Sequence, residues 1–436
     1  MPSVLRGALT ALIALVLATA LAVELTKKPP SLALAIGGGL GAIIVLLLAL
    51  ARYEWAVGLG IVLLFFVKKE PAPSDAVFLI TIAVGIVTDR FKISRVPTFV
   101  TAVLGIYLTL NVIGLAAAID MPRAIRFSFT TFYLALFALW LASWISSRAR
   151  AAIVLRAYIF ATVLSAVLGA VAYAGGPGRA TFLEYGGTRA VGLYKDPNVF
   201  GAFLVPAALI VLDELLAPKL LKGRRLTTIA MFLVLTLGVV VSFSRAAWIN
   251  LALGVLAMIP VFALRRGGAR RAAALLTAVL ITIGVVGTAL AATGSLGFLQ
   301  SRAQVQSYDT QRFGAQEEGI RLVAHHPLGV GPGQYELYSS ASISAHSTYV
   351  RALAELGILG LVAALALLLG TLVLAAHNAA LGRETFGIGS APLLGAWAGL
   401  LLSGLVIDTL HWRHLWLVAA LIWAGSMRRA PRAKPS

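Results

Sequence analysis

Fourteen apolar stretches follow one another along this chain, at 4–23, 31–51, 53–67, 76–88, 97–117, 127–145, 152–174, 199–216, 226–242, 246–264, 272–292, 350–375, 388–408 and 412–427. So many runs, most of them about 15–25 residues long, are membrane-spanning candidates, because a helix needs roughly that length to cross the hydrocarbon of a bilayer. The runs at 53–67 and 76–88 are short, so the sequence supports twelve spans as well as fourteen. Either count is even and puts both termini on one side. With 60% hydrophobic and 12% charged residues, the expectation is an all-α polytopic helical bundle, a single transmembrane domain over 1–436 with no soluble domain of useful size.

The first run imitates a cleaved secretory signal, since Arg6 precedes it and the small residues "ATALA" at 18–22 follow. We read it as a span; its loss would leave the topology of the rest unchanged. The sequence holds no cysteine, which excludes a disulfide framework, Cys-ligated zinc and a thiol nucleophile. Any catalysis must use oxygen, nitrogen or a bound metal.

Alternating the spans puts the clusters Arg90/Lys92/Arg95, Arg148/Arg150/Arg156, Lys219/Lys222/Arg224/Arg225, Arg265/Arg266/Arg270/Arg271 and Arg428/Arg429/Arg432/Lys434 on one side. The positive-inside rule makes that side, and both termini, cytoplasmic. Much of the net charge of +19 is thereby assigned to topology and gives no reason to expect nucleic acid. Arg179, Arg189, Lys195, Arg245, Arg302, Arg312, Arg321, Arg351 and Arg413 fall on the other side. Basic residues kept there suggest an anionic ligand, since each is costly near hydrocarbon unless it is paired or faces water.

Two outer loops are long enough to build a site. In the first, 175–198, Asp196 is placed to cap a helix with Pro197 at its first position, opening a phosphate-favouring helix N-terminus outward. The second, 293–346, has polar helical character in its first half and a Gly/Pro-rich "PLGVGPGQY", from which we expect two short helices and a turn. Its "GVGPG" lacks the strand, helix and Lys-Ser/Thr context of a phosphate-cradling loop.

Of the six histidines, His325 and His326 read as structural, His411 and His414 as interfacial anchors beside Trp412 and Trp416, and His377 as lying on the cytoplasmic side. His346 stands apart. Ser347 or Thr348 can cap the helix that starts there, holding an imidazole at the water boundary, where its neutral form accepts a proton near physiological pH. Arg351 and Glu355 share one helix face four residues apart and pair with each other on the simplest reading.

"RAVGLYKDPNVFGAF" at 189–203, "SFSRAAW" at 242–248, and "HHPLGVGPGQY" followed by "AHSTYVRALAELGILGL" across 325–361 resemble the O-antigen ligase/O-antigen polymerase superfamily of bacterial envelope glycosyltransferases. The resemblance covers roughly 185–425; the earlier spans match only as hydrophobic helices. It implies metal-independent, inverting transfer from an undecaprenyl-diphosphate-linked glycan donor to a lipid A-core acceptor. The reaction would take place on the periplasmic face of the bacterial inner membrane, among its lipids and without a cofactor. It further implies that His346, opening the helix after the large loop, is the catalytic residue, and that Arg189, Arg245 and Arg321 bind the diphosphate. Lys195, Asn198 and Arg312 are supporting residues, and Arg351 and Glu355 orient the helix start.

The first outer loop, "ELTKKPP", holds Glu24 alone rather than an acidic pair, and Asp309, Glu317 and Glu318 read as ion-pair partners of arginines rather than metal ligands. Polymerases of this superfamily often place glycine after arginine with ten residues between, and none of Arg179, Arg189, Arg302, Arg312 or Arg321 does so. This favours a ligase over a polymerase or a protein O-oligosaccharyltransferase. The rival from another class is a transporter or flippase of an anionic lipid. It should carry charges near the midplane and matched broken helices in inverted halves.

Overall fold

A computed structural model describes residues 32–427 apart from 69, 185, 222, 265–267, 305–306 and 341–342. The first apolar run, Lys222, Arg265, Arg266 and the C-terminal basic cluster lie outside the described residues. The chain is helical, with β pairing among the described residues limited to isolated bridges such as Val67 with Tyr194.

In order, the helices are α1 (Leu32–Ala51), α2 (Tyr53–Val62), α3 (Pro73–Val87), α4 (Thr98–Gly114), α5 (Met121–Trp144), α6 (Arg148–Tyr173), α7 (Arg179–Phe182), α8 (Pro197–Leu216) and α9 (Arg225–Val241). Then come α10 (Arg245–Ala263), α11 (Gly268–Ala292), α12 (Leu296–Ala303), α13 (Ser307–His325), α14 (Tyr335–Tyr338), α15 (Thr348–Ala380), α16 (Ser390–Ser403) and α17 (Arg413–Gly425). Every apolar run within the described residues forms a helix. Seven of these are long and apolar enough to cross a membrane: α4 with its 3-10 extension, α5, α6, α8, α10, α11 and α15. Helices α2 with its 3-10 extension, α3, α9, α16 and α17, the runs noted as short among them, are apolar helices of 10–17 residues, and α1 is apolar over 37–51.

Polar residues at the ends fix where helices begin. Asp120, Ser147, Asp196, Ser244 and Ser347 each accept from a backbone N–H in the first turn of α5, α6, α8, α10 and α15. The expected Asp196 cap and Pro197 start are both present.

Hydrogen bonds between connectors sort the bundle into two ends. At one, Arg148 and Arg156 donate to the carbonyls of Lys219 and Leu220, Lys219 pairs with Glu384, and Lys92 N–H donates to Ser143. The described members of the predicted cytoplasmic clusters in these connectors therefore share one end. At the other, Lys195 meets Glu70, Arg189 meets the carbonyl of Ser242, and Thr348 meets Thr409. The long loops gather there.

The most enclosed span is α8, surrounded by α9, α10 and α16. Trp140, Trp144, Trp397, Trp416 and Trp423 fill the interior, and several donate indole N–H to buried oxygens, as Trp397 does to Leu368 O. On α11, Leu280, Ile281 and Ile283 face outward, as a lipid-contacting surface requires.

Loop 293–346 holds three helices, α12, α13 and α14, where the sequence suggested two short ones, and α13 runs for 19 residues. One stripe of α13, Ala315, Gln316 and Gly319, is turned inward and gives it a face to bury. The "PLGVGPG" turn has a specific seat. Helix α15 breaks at Gly357 (φ 69, ψ −167), which orphans backbone carbonyls, and the turn supplies donors: Val330 N–H to Ala354 O (3.0 Å) and Gly331 N–H to Glu355 O (2.9 Å). The break divides α15 into a polar-capped first segment, holding Arg351 and Glu355, and an apolar remainder of span length.

Candidate active site

His346 sits at the foot of α15, as the sequence predicted. The foot is fixed to the loop before α17: Thr348 N–H donates to Gly404 O (2.8 Å) and Thr348 Oγ1 meets Thr409 Oγ1 (3.0 Å). Ser347 must be extended to cap the helix, and the turn that delivers it puts His346 at φ 44, a left-handed conformation that costs a non-glycine residue energy. The Gln316 side-chain amide, from α13, donates to His346 O (3.3 Å) and helps to hold that turn. Among the described residues the imidazole nitrogens make no hydrogen bond, so the half-buried ring remains available to a ligand. Burial, then the positive charges of Arg312 and Arg351, push its pKa below the ordinary histidine value, against the weaker pull of Asp196 and Glu336. At neutral pH it is a neutral proton acceptor.

Arg351 and Glu355 do pair (2.8 Å), as four-residue spacing predicts, but the structure adds more. Arg351 also reaches Glu336 of α14 (2.5 Å), Ser344 Oγ (2.7 Å) and Asp408 of the last connector (3.1 Å), and its guanidinium lies over the Phe127 ring. The Asp408 contact is a charge pairing off the N–H direction of Nε. Glu355 in turn accepts from Gly333 N–H (2.8 Å). One buried arginine thus joins α15, α14, the Ser344 turn before His346 and the 404–412 connector. Asp408 pairs with His411 (3.1 Å); although burial raises its carboxyl pKa, His411 and Arg351 hold it below the usual range.

The other predicted residues divide into groups. Arg189 Nε donates to Ser242 O (2.9 Å) and Nη2 to Asn198 Oδ1 (3.2 Å), with Glu184 nearby (3.7 Å), so the first loop clasps the Ser-Arg motif and the start of α8. Arg245 pairs with Asp309 (2.5 Å) and donates to Gln304 O (3.0 Å), joining that motif to the large loop. Lys195 pairs with Glu70 (3.2 Å). Arg321 is not brought to this assembly: it is 77% exposed, pairs with Glu317 one turn earlier, and lies on the side of α13 opposite Gln316 and Gly319. Arg312 instead shares the Gln316 side and acts on His346 through its charge. Asp309 and Glu317 are arginine partners as expected, while Glu318 accepts from Ser339 (2.9 Å) and Ser340.

Beside the Arg351 cluster opens a cavity of about 570 Å³ between α5, the start of α8 and the connector before α17. Arg123 and Arg126 line it, and Arg123 also holds Glu336 (2.7 Å). Sequence reading passed over both arginines because they precede the run taken as 127–145, although the alternation rule puts them on the loop side. Glu336 and Asp408 were likewise missed, since nothing local marks a carboxylate that pairs with an arginine far away in sequence. Arg413, counted among the outer basic residues, forms a two-pronged pair with Asp75 (2.8 and 2.6 Å).

Residues 230–365, about a third of the chain, match the family model described as O-Antigen ligase. The matched segment contains the Ser-Arg motif, the large loop, His346 and the first segment of α15, and it bears out the resemblance to the O-antigen ligase superfamily. None of the curated proteins matches the chain.

Proposed function

We propose that the protein is an O-antigen ligase, joining an undecaprenyl-diphosphate-linked polysaccharide to lipid A-core oligosaccharide at the periplasmic face of the inner membrane, with both termini cytoplasmic. The observation that carries this reading is His346, a neutral imidazole whose ring nitrogens are unengaged among the described residues, held at a helix foot inside the matched segment and under the charge of Arg312. An acceptor sugar hydroxyl attacks the anomeric carbon from the side opposite the diphosphate, forming the new C–O bond with inversion. His346 takes the hydroxyl proton as the bond forms. The bond to the diphosphate breaks, and its electron pair leaves with the lipid diphosphate. Arg189, Arg245 and Arg312 stabilise the charge that develops there, with Lys195 and Asn198 beside them. Arg351 and Glu355 do not react; they fix the Ser344–Ser347 turn.

A transporter would call for paired breaks in two inverted halves. Among the described helices, α15 is the one with non-helical torsions inside it, which favours the enzyme.

The test is transfer itself. Purified protein with lipid-linked glycan and lipid A-core should yield a conjugate, and His346→Ala should lose about 100- to 10,000-fold in rate while still inserting and binding donor. Wild-type rates in His346→Ala would remove the base assignment, and growth of the lipid-linked chain in place of conjugate would make the protein a polymerase. Because guanidinium groups carry the charge in this mechanism, rates should survive EDTA. Loss on chelation with recovery on adding Mg²⁺ or Mn²⁺ would transfer that role to a metal.

A further inference from the structure

The 570 Å³ cavity beside the Arg351 cluster falls within the range of small-ligand sites, about 300–1,000 Å³, and of its lining the mechanism above draws on Lys195 at the edge and leaves the rest without a role. Its wall combines aromatic rings with donors and acceptors: Trp412 and Tyr194 supply the rings, Arg126 and Lys195 are donors, and Glu70 and Asp120 are acceptors. An acyl chain would leave these charges desolvated, and the carboxylates Glu70, Asp120 and Asp408 offset most of the charge of Arg123, Arg126, Lys195 and Arg413, which leaves little to hold a diphosphate. A hydroxyl-rich ring can meet both kinds of group without breaking the Lys195–Glu70 pair or the Asp120 cap, because each hydroxyl both donates and accepts, while the C–H face of the sugar suits an aromatic ring.

His414 is the second observation. It lines the same cavity and is only 2% exposed, yet its Nε2 has no hydrogen-bond partner among the described residues. Trp412 (5.1 Å between centroids) and Phe203 (5.7 Å) flank the ring. A buried polar atom left unpaired calls for an explanation, and a sugar hydroxyl serves whichever tautomer is present.

We propose that this cavity is a glycan subsite holding a sugar unit next to the one that reacts. Asp408 lines it and pairs with Arg351, Arg351 holds Ser344 Oγ, and Ser344 Oγ accepts from His346 N–H, so a relay of three side chains links the cavity to the backbone of the base. The proposal rests on the transferase reading; the glycan comes from the donor polysaccharide or from the acceptor core, and the experiment separates the two.

Initial rates are measured with each lipid-linked substrate varied in turn, for wild type, His414→Leu and His414→Gln. His414→Leu should raise KM for one substrate about tenfold with kcat nearly unchanged, and His414→Gln, which keeps hydrogen-bonding capacity, should recover most of it. Which KM moves identifies the source. Should His414→Leu not fold, the wild type decides alone: unlipidated core oligosaccharide and unlipidated O-glycan are each titrated as inhibitors, and one of them should compete with its own lipid-linked form. Unchanged KM values in a folded His414→Leu, or a KM effect that His414→Gln fails to recover, would overturn the proposal, as would the absence of competition by either free glycan. Binding of the free glycans is also followed without turnover, through protein fluorescence, so a protein that binds glycan but forms no conjugate refutes the transferase reading and leaves the subsite standing.

Discussion

His346 is held by its backbone and, among the described residues, left open at its ring, and that division sets the pH dependence expected of the reaction. Burial and the charges of Arg312 and Arg351 disfavour the imidazolium, so the folded pKa lies below that of a free histidine. The base form therefore persists as pH falls through about 6.5, and rates should decline only on further acidification. Removing one of the positive charges reverses part of the shift: Arg312→Gln should move the acid limb of the pH–rate profile to higher pH, while Arg321→Gln, on the exposed side of α13, should leave it in place. Arg312→Gln should also cost more rate, about tenfold or greater against a change within about threefold for Arg321→Gln. Equal effects of the two would return Arg321 to the site and contradict the division of α13 into inward and outward faces.

At the level of elements, the break in α15 and the turn that seats against it form one unit. Gly357 and Gly329 both have positive φ, and a Cβ on either would run into the backbone of the other strand of this contact, Pro327 and Leu328 for Gly357, Glu355 and Gly357 for Gly329. Alanine at Gly329 should destabilise the fold by about 2–4 kcal/mol, combining left-handed strain with backbone displacement. It should also reduce transfer, because Gly333 N–H would lose its alignment on Glu355. The control is Gly287→Ala on α11, where a Cβ meets open space and the helical backbone favours alanine. Thermal unfolding in detergent compares them; a Gly329→Ala protein as stable as wild type would show that the turn does not plug the break.

For the whole molecule, the sorting of connectors into two ends makes a topological prediction that the chain is well suited to test, because it has no cysteine to contribute background. Thr188→Cys at the loop-rich end and Arg383→Cys at the basic end are both exposed. An impermeant maleimide applied to the periplasmic side of intact cells should label the first and spare the second until the membrane is opened. Labelling of both from one side would break the two-ended arrangement, and labelling of Arg383→Cys alone would invert the orientation drawn from the positive-inside rule.

The one-dimensional pattern by itself determined the all-helical class, the helix starts at Asp196 and Ser347, the shared end of the basic connectors and the place of His346. These follow from local causes: apolar run length, side chains that cap their own backbone, and charge beside a span. The pairing of Arg351 with Glu355 was equally legible, since one helix face carries both. Only the tertiary structure decided that Glu336 and Asp408 complete that pair, that Arg312 rather than Arg321 stands by the imidazole, and that "PLGVGPG" seats on a broken helix. Each depends on segments distant in the chain meeting at one end of the bundle, and on the direction in which α13 turns its faces. Helical periodicity names two candidate faces; it takes the neighbour, here the first segment of α15, to bury one of them.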